Sequence, residues 1–383
     1  MAQSHATPIL PPAMIGILGG GQLGRMFTIA AKTMGYQVTV LDPDPKAPAA
    51  AFADRHLCAP FDDAAALAIM GTCAAVTTEF ENVNAQAMIN LAQHTRVSPS
   101  GECVAIAQNR ILEKKWIRQA GLATAPYAVI DSEAALAQDF SAYLPGIMKT
   151  ATMGYDGKGQ IRVHTVADVQ AAYAELQQVA CVLERMLPLS SEISAIVARL
   201  DDQHISCFAP SENQHKDGIL DVCIVPARLP GNLQEQAQNM AKRLANELNY
   251  VGVLAVEFFV LDDETLIVNE MAPRPHNSGH YTLTACLADQ FQQQVRTLCG
   301  LTPATPELLT PCVMINLLGD EWPAGGEPNW APLQQSPNAH LYLYGKEEAR
   351  PGRKMGHYTV LGQDTEALLL QALALQTTLT QPL

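Results

Sequence analysis

The first hundred residues alternate between short apolar runs and amphipathic stretches. Three apolar runs have the length of buried β-strands, at residues 15–18, 36–41 and 74–78. Two stretches that follow these runs have apolar positions at helical spacing, at residues 25–34 and 84–93. Because strands and helices alternate, the pattern predicts a parallel sheet over about residues 13–105.

From residue 109 onward the pattern changes to shorter strands with fewer helices between them. Helices are predicted at residues 111–120, 167–178, 233–248 and 289–299. Strands are predicted at residues 127–130, 146–149, 161–164, 181–184, 192–200 and 204–209, followed by a hairpin of 252–261 and 265–270. After the proline-rich residues 302–311, a small β-rich tail is predicted, with strands at 313–318 and 339–344. These residues therefore predict an α+β arrangement beyond the first sheet.

The composition excludes several classes of protein. A chain of 383 residues is long enough for two or three domains with a large core. Its net charge of −14 argues against a nucleic-acid-binding protein, which needs a basic face. Nine cysteines without a CxxC pair favour reduced, mostly buried thiols in a cytoplasmic protein. We find no signal-peptide pattern and no apolar run that could span a bilayer, so no association with a membrane is expected.

Two glutamates on the predicted hairpin give the strongest indication of chemistry. A turn at residues 263–264 places Glu257 directly opposite Glu270. Facing carboxylates repel each other, and a hard divalent cation removes that repulsion, with Asn269 adding an amide oxygen. The alternative is a solvated edge hairpin with one glutamate in water. The segment 271–280 that follows is too rich in proline, glycine and polar groups for a core, and this favours chemistry on a phosphate.

The glycines after the first strand have the form of a dinucleotide-binding motif. Residues 19–24 match GxGxxG between a strand and a helix, and Asp42 lies 18 residues beyond. The alternative is a tight strand–helix turn that presents its helix N-terminus to another anion or substrate. NAD binding is the less favoured interpretation, because the other motifs indicate a different nucleotide.

A second glycine-rich segment, at residues 149–160, is more specific. Lys149 and Lys158 bring positive charge to a loop that three glycines make flexible. Backbone N–H groups of such a loop can close over phosphates, whose charge the lysines neutralise. The pattern GxxxxGK[ST] is absent, so the loop is not a Walker A loop. The alternative is a plain hairpin turn with solvated lysines.

Three further segments offer groups for a ligand. The strand that ends at residues 184–187 can present backbone N–H and C=O groups to a flat base, with Glu192 near the ribose hydroxyls. Glu79 closes a strand of the first sheet, where open α/β sheets bind ligands. The turn at residues 345–356 concentrates four cations in an acidic protein, which suits an anion pocket. A solvated basic loop is the alternative for this turn.

Taken in order, these motifs resemble those of the N5-carboxyaminoimidazole ribonucleotide synthetases of purine biosynthesis, a family of ATP-grasp ligases. The resemblance covers nearly the whole chain, and it is carried by the strings at residues 19–25, 78–83, 154–160, 272–280 and 344–357. The resemblance implies a Rossmann-like N-terminal domain at residues 1–108, an ATP-grasp domain at 109–302 and a small β-rich C-terminal domain at 303–383.

The resemblance also implies an activity, a cofactor and an assembly. The reaction converts ATP, bicarbonate and 5-aminoimidazole ribonucleotide into ADP, phosphate and the N-carboxylated ribonucleotide. The metal is Mg²⁺, as one or two ions, with Glu257 and Glu270 as ligands. The assembly is a homodimer.

The roles that the resemblance implies fall into three sets. The catalytic set is Lys149, Tyr155 and Arg274. The ATP-binding set is Arg110, Lys149, Gly154, Tyr155, Asp156, Gly157, Lys158, Gly159, Gln160, Glu184, Arg185, Met186, Leu187, Glu192, His215, Asn269 and Glu270. The ribonucleotide-binding set is Gln22, Leu23, Glu79, His276, Asn277, Lys346, Arg353 and Lys354.

The chain departs from the pattern of this family in three places. Asn109 stands where an aspartate is usual, Ala151 and Met153 replace an arginine and a glycine, and residues 292–294 replace Glu-Gln-His. No metal ligand or loop lysine is lost, so we expect altered loop kinetics rather than lost activity. Two other functions compete with this one: a formate-using glycinamide ribonucleotide transformylase and a non-catalytic or NAD-dependent Rossmann protein.

Overall fold

The structure is a computed structural model that describes residues 7–152, 154, 159–323 and 326–380. The strands of these residues form three sheets, which follow one another along the chain.

The N-terminal part is a parallel sheet with helices between its strands. Its strands are β1 (Met14–Leu18), β2 (Gln37–Leu41), β3 (Arg55–Leu57), β4 (Ala75–Thr78) and β5 (Arg96–Val97). Its helices are α1 (Gln22–Thr33), α2 (Ala64–Met70), α3 (Ala85–Leu91) and α4 (Gly101–Ala107). The strand order β3-β2-β1-β4-β5 confirms the predicted parallel sheet. The order reverses between β1 and β4, whose carboxyl ends lie side by side because Leu18 pairs with Thr78.

The middle part contains a four-stranded antiparallel sheet among the described residues, in the order β6-β9-β7-β8. Its elements are α5 (Arg110–Gln119), β6 (Tyr127–Ile130), β7 (Gly146–Thr150), β8 (Gln160–Val163), α6 (Val166–Glu175) and β9 (Cys181–Arg185). Asn109 begins α5, because its side chain accepts hydrogen bonds from the N–H groups of Ile111 and Leu112. The asparagine thus caps the helix by the same side-chain contact that an aspartate makes.

A larger sheet occupies the rest of the chain, with nine strands in the described residues. Its first half contains β10 (Leu189–Arg199), β11 (Ile205–Cys207), β12 (Ser211–Lys216), β13 (Ile219–Val225), α7 (Gly231–Glu247), β14 (Gly252–Leu261) and β15 (Leu266–Ala272). Its second half contains α8 (Thr282–Ala285), α9 (Gln290–Leu298), β16 (Cys312–Leu318), α10 (Ala331–Gln335), β17 (Ala339–Leu343), β18 (Lys354–Leu361) and α11 (Thr365–Leu379). The main order is β15-β14-β10-β12-β13-β16-β18-β17, and β11 pairs with β10.

The C-terminal strands continue this sheet instead of forming one of their own. Strand β16 pairs with β13, with Val222 opposite Ile315, and β18 and β17 extend the sheet beyond it. Helix α11 packs on these strands and was not predicted, because its leucines surround the helix; Leu370 is 71% exposed. With no polar face opposite an apolar one, its sequence shows no helical periodicity.

The hairpin of β12 and β13 was also missed. Its turn lies at Asp217 and Gly218, which both have positive φ, at 53° and 79°. Two consecutive positive φ angles are the geometry of the tight turns that join hairpin strands, and Asp-Gly is a favoured pair for them. Strand β12 consists of polar and charged residues, one of which, His215, lines the site described below, and it therefore shows no alternation of apolar and polar positions.

The cysteines agree with the prediction of mostly buried, unpaired thiols. All nine cysteines are free thiols, and all but Cys58 and Cys286 are buried. In the part of the chain that the structure describes, we find no helix that is long and apolar enough to cross a membrane.

Candidate active site

The predicted pairing of the two glutamates is confirmed. Strands β14 and β15 are antiparallel, and Glu257 lies opposite Glu270. The register shifts directly after this pair, between Glu257 and Phe258. Such an irregularity bends the strand and re-aims neighbouring side chains. Both carboxylates line a cavity of about 710 Å³, so neither belongs to a plain solvated edge.

This cavity brings together nearly all of the predicted site residues that the structure describes. Those that line it are Gln22, Leu23, Glu79, Arg110, Lys149, Gly154, Gln160, Glu184, Arg185, Met186, Leu187, Glu192, His215, Glu257, Asn269, Glu270, Arg274, His276, Asn277, Lys346 and Lys354. Gly159 and Arg353 are not among its lining residues. Met153, Tyr155, Asp156, Gly157 and Lys158 lie outside the described residues.

The charges around the glutamate pair are unequal. Burial raises the pKa of Glu257, and the negative charge of Glu270 raises it further. Burial acts in the same direction on Glu270, but Arg110 outweighs it and the pKa of Glu270 is lowered. The Arg110 Nη1 atom lies 2.7 Å from Glu270 Oε2. The pair is thus one ionised carboxylate beside one that resists ionisation without a further cation.

The residues at this hairpin fit a magnesium ion that is held mainly by a nucleotide. Asn269 Oδ1 is buried and has no hydrogen-bond partner in the described part of the molecule. No group of three or more His, Cys, Asp or Glu residues with metal-binding geometry occurs there. Mg²⁺ in nucleotide sites usually takes one or two carboxylates together with phosphate oxygens. Two carboxylates and an unpaired amide oxygen suit that arrangement.

A buried cluster of lysines and a glutamate lies next to this hairpin. Glu184 on β9 pairs with Lys149 on β7 at 3.1 Å and with Lys114 on α5 at 3.0 Å. Burial opposes ionisation of Glu184, but the two lysines outweigh it and lower its pKa to about 2. One carboxylate against two ammonium groups leaves a net positive charge, which suits phosphate oxygens.

The glycine-rich segment begins and ends on the cavity wall. Lys149 on β7 pairs with Gln160 on β8. Gly159 has a φ of +70°, and its carbonyl accepts a hydrogen bond from the N–H of Thr150 at 2.9 Å. Ala151, one of the departures from the family pattern, is buried and its backbone carbonyl accepts from the N–H of Arg110. This contact is made by the backbone, so it connects the start of the segment to α5 independently of the side chain at residue 151.

Residues 184–187 and the Glu192–His215 pair form another part of the wall. His215 Nδ1 lies 3.3 Å from Glu192 Oε2. The N–H groups of Arg185 and Met186 donate to the carbonyls of Pro126 and Pro145, both at 2.9 Å. Since these two amides are already bonded within the protein, they are not the donors that would meet a base.

The GxGxxG turn binds a carboxylate of the protein itself. Glu79 Oε1 accepts from the N–H of Gly21 at 2.9 Å, and Glu79 Oε2 accepts from the N–H of Gly24 at 2.5 Å. The N–H of Gly20 donates to Asp42 at 2.7 Å. These contacts place two carboxylates where a dinucleotide would put its pyrophosphate and ribose. The geometry therefore favours the tight-turn interpretation over NAD binding.

Two of the basic residues of the C-terminal turn reach the cavity. Lys346 Nζ donates to Gln22 Oε1 at 2.5 Å and to the Lys354 carbonyl at 2.7 Å. Burial lowers the pKa of Lys346 to about 8, with Arg353 and Lys354 adding repulsion. An anionic ligand would offset both effects. The guanidinium of Arg353 donates to the Glu348 carbonyl at 2.8 Å instead.

The loop after β15 attaches to the glutamate pair and to the first sheet. His276 Nε2 lies 3.1 Å from Glu257 Oε1, and burial lowers the pKa of His276 to about 3. Arg274 pairs with Glu81 through two hydrogen bonds. Burial opposes ionisation of Glu81, but Arg274 outweighs it and lowers the pKa to about 2. Both amide atoms of Asn277 are buried, and neither has a partner in the described residues.

Four residues of the site were missed by the sequence analysis: Glu81, Glu113, Lys114 and Gln290. Gln290 is fully buried, and its amide bonds to both the N–H and the carbonyl of His276, each at 2.8 Å. Glu113 and Lys114 lie on the buried side of α5. In a sequence, charged residues on an amphipathic helix are normally assigned to its solvent face, so no local signal identified them.

The missed Glu113 leads to a prediction about pH. Burial raises its pKa, the charge of Glu270 adds to this, and the unfolded chain has an ordinary pKa of about 4.3. The folded state thus binds this proton more tightly than the unfolded chain does. The free energy of unfolding therefore falls as pH rises from the ordinary pKa of the unfolded chain to the raised pKa of the folded protein. We expect Glu113→Gln, relative to the wild type, to be more favourable for stability at pH 8 than at pH 5.

This prediction is checked by urea unfolding of both proteins at pH 5 and pH 8. The control is Glu102→Gln, which changes an exposed glutamate at the start of α4. A Glu113→Gln effect that is independent of pH, like the one expected for the control, would contradict a raised pKa.

Three family matches cover most of the chain. Residues 13–108 match the ribonucleotide synthetase preATP-grasp domain, and residues 115–291 match the ATP-grasp domain. Residues 312–371 match the phosphoribosylaminoimidazole carboxylase C-terminal domain.

The relatives and solved structures agree with these matches. The chain is 43% identical to the N5-carboxyaminoimidazole ribonucleotide synthase of Bacillus subtilis (strain 168), over 93% of either chain. It superposes on the N5-carboxyaminoimidazole synthetase of Staphylococcus aureus complexed with ADP with a TM-score of 0.90, at 34% identity over 98% of this chain and 100% of the other. For the Aspergillus clavatus enzyme in complex with ADP and 5-aminoimidazole ribonucleotide, the TM-score is 0.86, at 29% identity over 96% and 98%.

The chain is 43% identical to a curated relative over nearly its full length, and it contains the ATP-grasp domain. Its cavity is lined by residues that the motifs predicted. The chain belongs to the N5-carboxyaminoimidazole ribonucleotide synthase family of ATP-grasp enzymes.

Proposed function

We propose that the chain uses ATP and bicarbonate to carboxylate the exocyclic amine of 5-aminoimidazole ribonucleotide, releasing ADP and phosphate. The observation that carries this proposal is one continuous cavity with three chemical parts. The Lys149–Glu184 pair, the Glu257–Glu270 pair and the Lys346–Gln22 pair all line this cavity. A nucleotide, an acid that accepts phosphate and an anionic acceptor substrate therefore fit side by side.

The first part suits ATP. Lys149, Lys114 and Arg110 bring three cations to the side of the cavity where the glycine-rich segment begins. Glu192 and residues 184–187 are proposed to hold the ribose and the base. The S. aureus relative was solved with ADP, which supports a nucleotide in this family.

The chemistry needs positioning and charge more than a protein nucleophile. A bicarbonate oxygen attacks the γ-phosphorus of ATP, the bond to the β,γ-bridging oxygen breaks, and carboxyphosphate and ADP form. Lys149, Arg274 and the N–H groups of the glycine-rich segment offset the charge that develops on the transferred group. Mg²⁺, held by Glu257, Glu270 and Asn269, supplies neutralisation of the phosphate oxygens when it is bound.

The second step forms the carbon–nitrogen bond. Carboxyphosphate releases phosphate and CO₂, and the amine of the ribonucleotide attacks the CO₂ carbon and loses a proton. Lys346, Lys354 and Gln22 are proposed to hold the ribonucleotide phosphate, with Glu79 near the ribose. Because water destroys carboxyphosphate, exclusion of water from the site would help to couple the two steps.

The proposed function is tested by measuring ADP release with purified protein and Mg²⁺–ATP. We expect full, coupled turnover only when bicarbonate and 5-aminoimidazole ribonucleotide are both present. Formate with glycinamide ribonucleotide is the control for a transformylase. Turnover with that pair, or a hydride transfer from NADH, would overturn the assignment.

The basic residues of the C-terminal turn allow a test of the ribonucleotide site. We expect Lys346→Met to raise the KM for the ribonucleotide by about 10-fold or more, because a charge-assisted contact to phosphate is lost. The KM for ATP should change little. The resemblance implies that Arg353 also contacts the ribonucleotide, which requires its side chain to leave the Glu348 carbonyl. We therefore expect Arg353→Ala to raise the ribonucleotide KM as well.

The matched control for these variants is Arg350→Ala, which removes an exposed cation of the same turn that pairs with Glu348. An unchanged ribonucleotide KM in Lys346→Met would exclude Lys346 from that site, and the same result in Arg353→Ala would exclude Arg353. A homodimer and a cytoplasmic location are further proposals from the family resemblance, and light scattering of the purified protein tests the first.

A further inference from the structure

A chain of buried hydroxyl and amide groups leads from the interior of the large sheet to His276. Asn213 Nδ2 on β12 donates to Ser194 Oγ on β10 at 3.1 Å. Ser194 Oγ donates to Ser278 Oγ at 2.6 Å, and Ser278 Oγ lies 2.8 Å from His276 Nδ1. Ser194 and Ser278 are 1% and 0% exposed, and Asn213 is 6% exposed. These groups are therefore shielded from bulk water.

The direction of the hydrogen bonds at His276 is set by a group that can only donate. The backbone N–H of Ser278 points at His276 Nδ1 at 3.3 Å. A nitrogen that accepts from this N–H carries no hydrogen of its own, so Ser278 Oγ must also donate to it. The imidazole is then neutral, and its hydrogen lies on Nε2, which is 3.1 Å from Glu257 Oε1.

The far end of the chain has the same direction. Asn213 Oδ1 accepts from Ser211 Oγ at 3.0 Å and from Cys223 Sγ at 3.2 Å. The histidine fixes this assignment: Ser278 Oγ gives its single hydrogen to Nδ1 and so accepts from Ser194 Oγ, and Ser194 Oγ in turn accepts from the amide nitrogen of Asn213. Each hydrogen bond along the chain from Asn213 thus has its donor on the side away from the histidine and its acceptor on the side toward it.

We propose that Ser278, Ser194 and Asn213 are positioning residues that hold His276 in its Nε2–H tautomer, so that it donates to Glu257 and orients that carboxylate. The proposal rests on the proposed function, in which Glu257 is a ligand of the nucleotide's metal. A hydrogen bond from Nε2 takes one carboxylate oxygen and fixes the rotation of the group, as outer-shell partners of metal ligands do. Two strands, β10 and β12, and the loop after β15 thereby contribute to the orientation of one side chain, and these parts meet only in the folded protein.

The first test needs no ligand, and it uses a variant only to assign signals. In the ligand-free enzyme labelled with ¹⁵N-histidine, long-range ¹H–¹⁵N spectra distinguish the two tautomers, and His276→Gln identifies the signals of His276. We expect the Nε2–H pattern for His276. An Nδ1–H pattern overturns the proposal, whether or not the enzyme carboxylates the ribonucleotide. The Nε2–H pattern in an enzyme without bicarbonate-dependent ADP release would leave the proposal standing and remove the proposed function instead.

The second test removes one donor. Ser278→Ala keeps the backbone N–H of residue 278, but at 3.3 Å this is the longer of the two contacts to His276 Nδ1, and the hydroxyl at 2.8 Å is lost. We therefore expect Ser278→Ala to show a measurable share of the Nδ1–H tautomer at His276 and to lower kcat for ADP formation by about 10-fold, with a higher Mg²⁺ concentration for half-maximal rate. The control is Ser98→Ala, which deletes another buried hydroxyl, one that donates to the Val251 carbonyl at 2.7 Å. Ser98→Ala should leave the His276 tautomer and kcat within about 2-fold of the wild type. A single Nε2–H tautomer and a wild-type rate in Ser278→Ala would refute the positioning role.

Discussion

Replacing Glu270 by alanine is expected to abolish ADP formation while leaving the fold intact. Glu270 is the ionised member of the glutamate pair, because Arg110 lies 2.7 Å from it and lowers its pKa. Removing it deletes the better of the two carboxylate ligands for Mg²⁺ and leaves Arg110 without its partner. Electrostatic groups of this kind are worth about 10²–10³-fold in turnover, and a lost metal ligand should reach at least that size.

The fold should survive this change for a physical reason. Two facing carboxylates repel each other, so the loss of one relieves the charge that helps to raise the pKa of Glu257. Circular dichroism and the thermal midpoint test this expectation, and ADP release tests the catalytic loss. Glu247→Ala, at the exposed end of α7, is the control and should behave as the wild type. Near-full, Mg²⁺-dependent turnover in Glu270→Ala would remove the metal assignment.

Replacing Arg274 by methionine is expected to reduce both stability and turnover. The guanidinium makes two hydrogen bonds to Glu81, one of them at 3.0 Å, and this pair ties the loop after β15 to the end of β4. Its loss leaves the Glu81 carboxylate unpaired, at a cost of about 2 kcal/mol in the free energy of unfolding. Turnover should fall by about 10²-fold if Arg274 also stabilises the charge on the transferred phosphoryl group.

A double variant separates these two effects. Glu81→Gln with Arg274→Met removes the unpaired charge, so the free energy of unfolding should recover most of its loss. Turnover should not recover, because the cation is still missing from the cavity. Urea unfolding and ADP release measure the two quantities on the same samples. If the double variant regains turnover, Arg274 serves only to neutralise Glu81, and its catalytic role is wrong.

Features with a local cause were predicted well from the sequence. The pairing of Glu257 with Glu270 was predicted from the spacing of the two strands and their turn, and the structure confirms it. Nearer the turn the register differs by one residue from the prediction, since Phe258 pairs with Val268 beyond the register shift. The parallel first sheet follows from the alternation of strands and helices. The glycine turn after β1 was placed correctly as a strand–helix turn, although its partner could not be known from its own sequence.

Features that depend on distant contacts were not predicted. Glu79 occupies the amides of the glycine turn because β1 and β4 are neighbours in the sheet, and no local pattern records that neighbour. From the sequence, Lys114 has the pattern of a surface lysine on an amphipathic helix. In the structure it is buried and lies 3.0 Å from Glu184 on β9. The continuation of the large sheet into β16 has the same cause, since it depends on pairing between strands some ninety residues apart.

Many of the longer elements, the motifs and the family to which their order belongs can be read from the sequence without the structure. These features depend on short-range periodicity and on residue types at fixed spacing, and both are visible in the amino-acid sequence. The tertiary structure alone decided how the charges are paired: which carboxylate is ionised, which lysines are buried and which way the hydrogen bonds run toward His276. Such states are set by burial and by neighbours within a few ångströms, and only the folded chain brings those neighbours together.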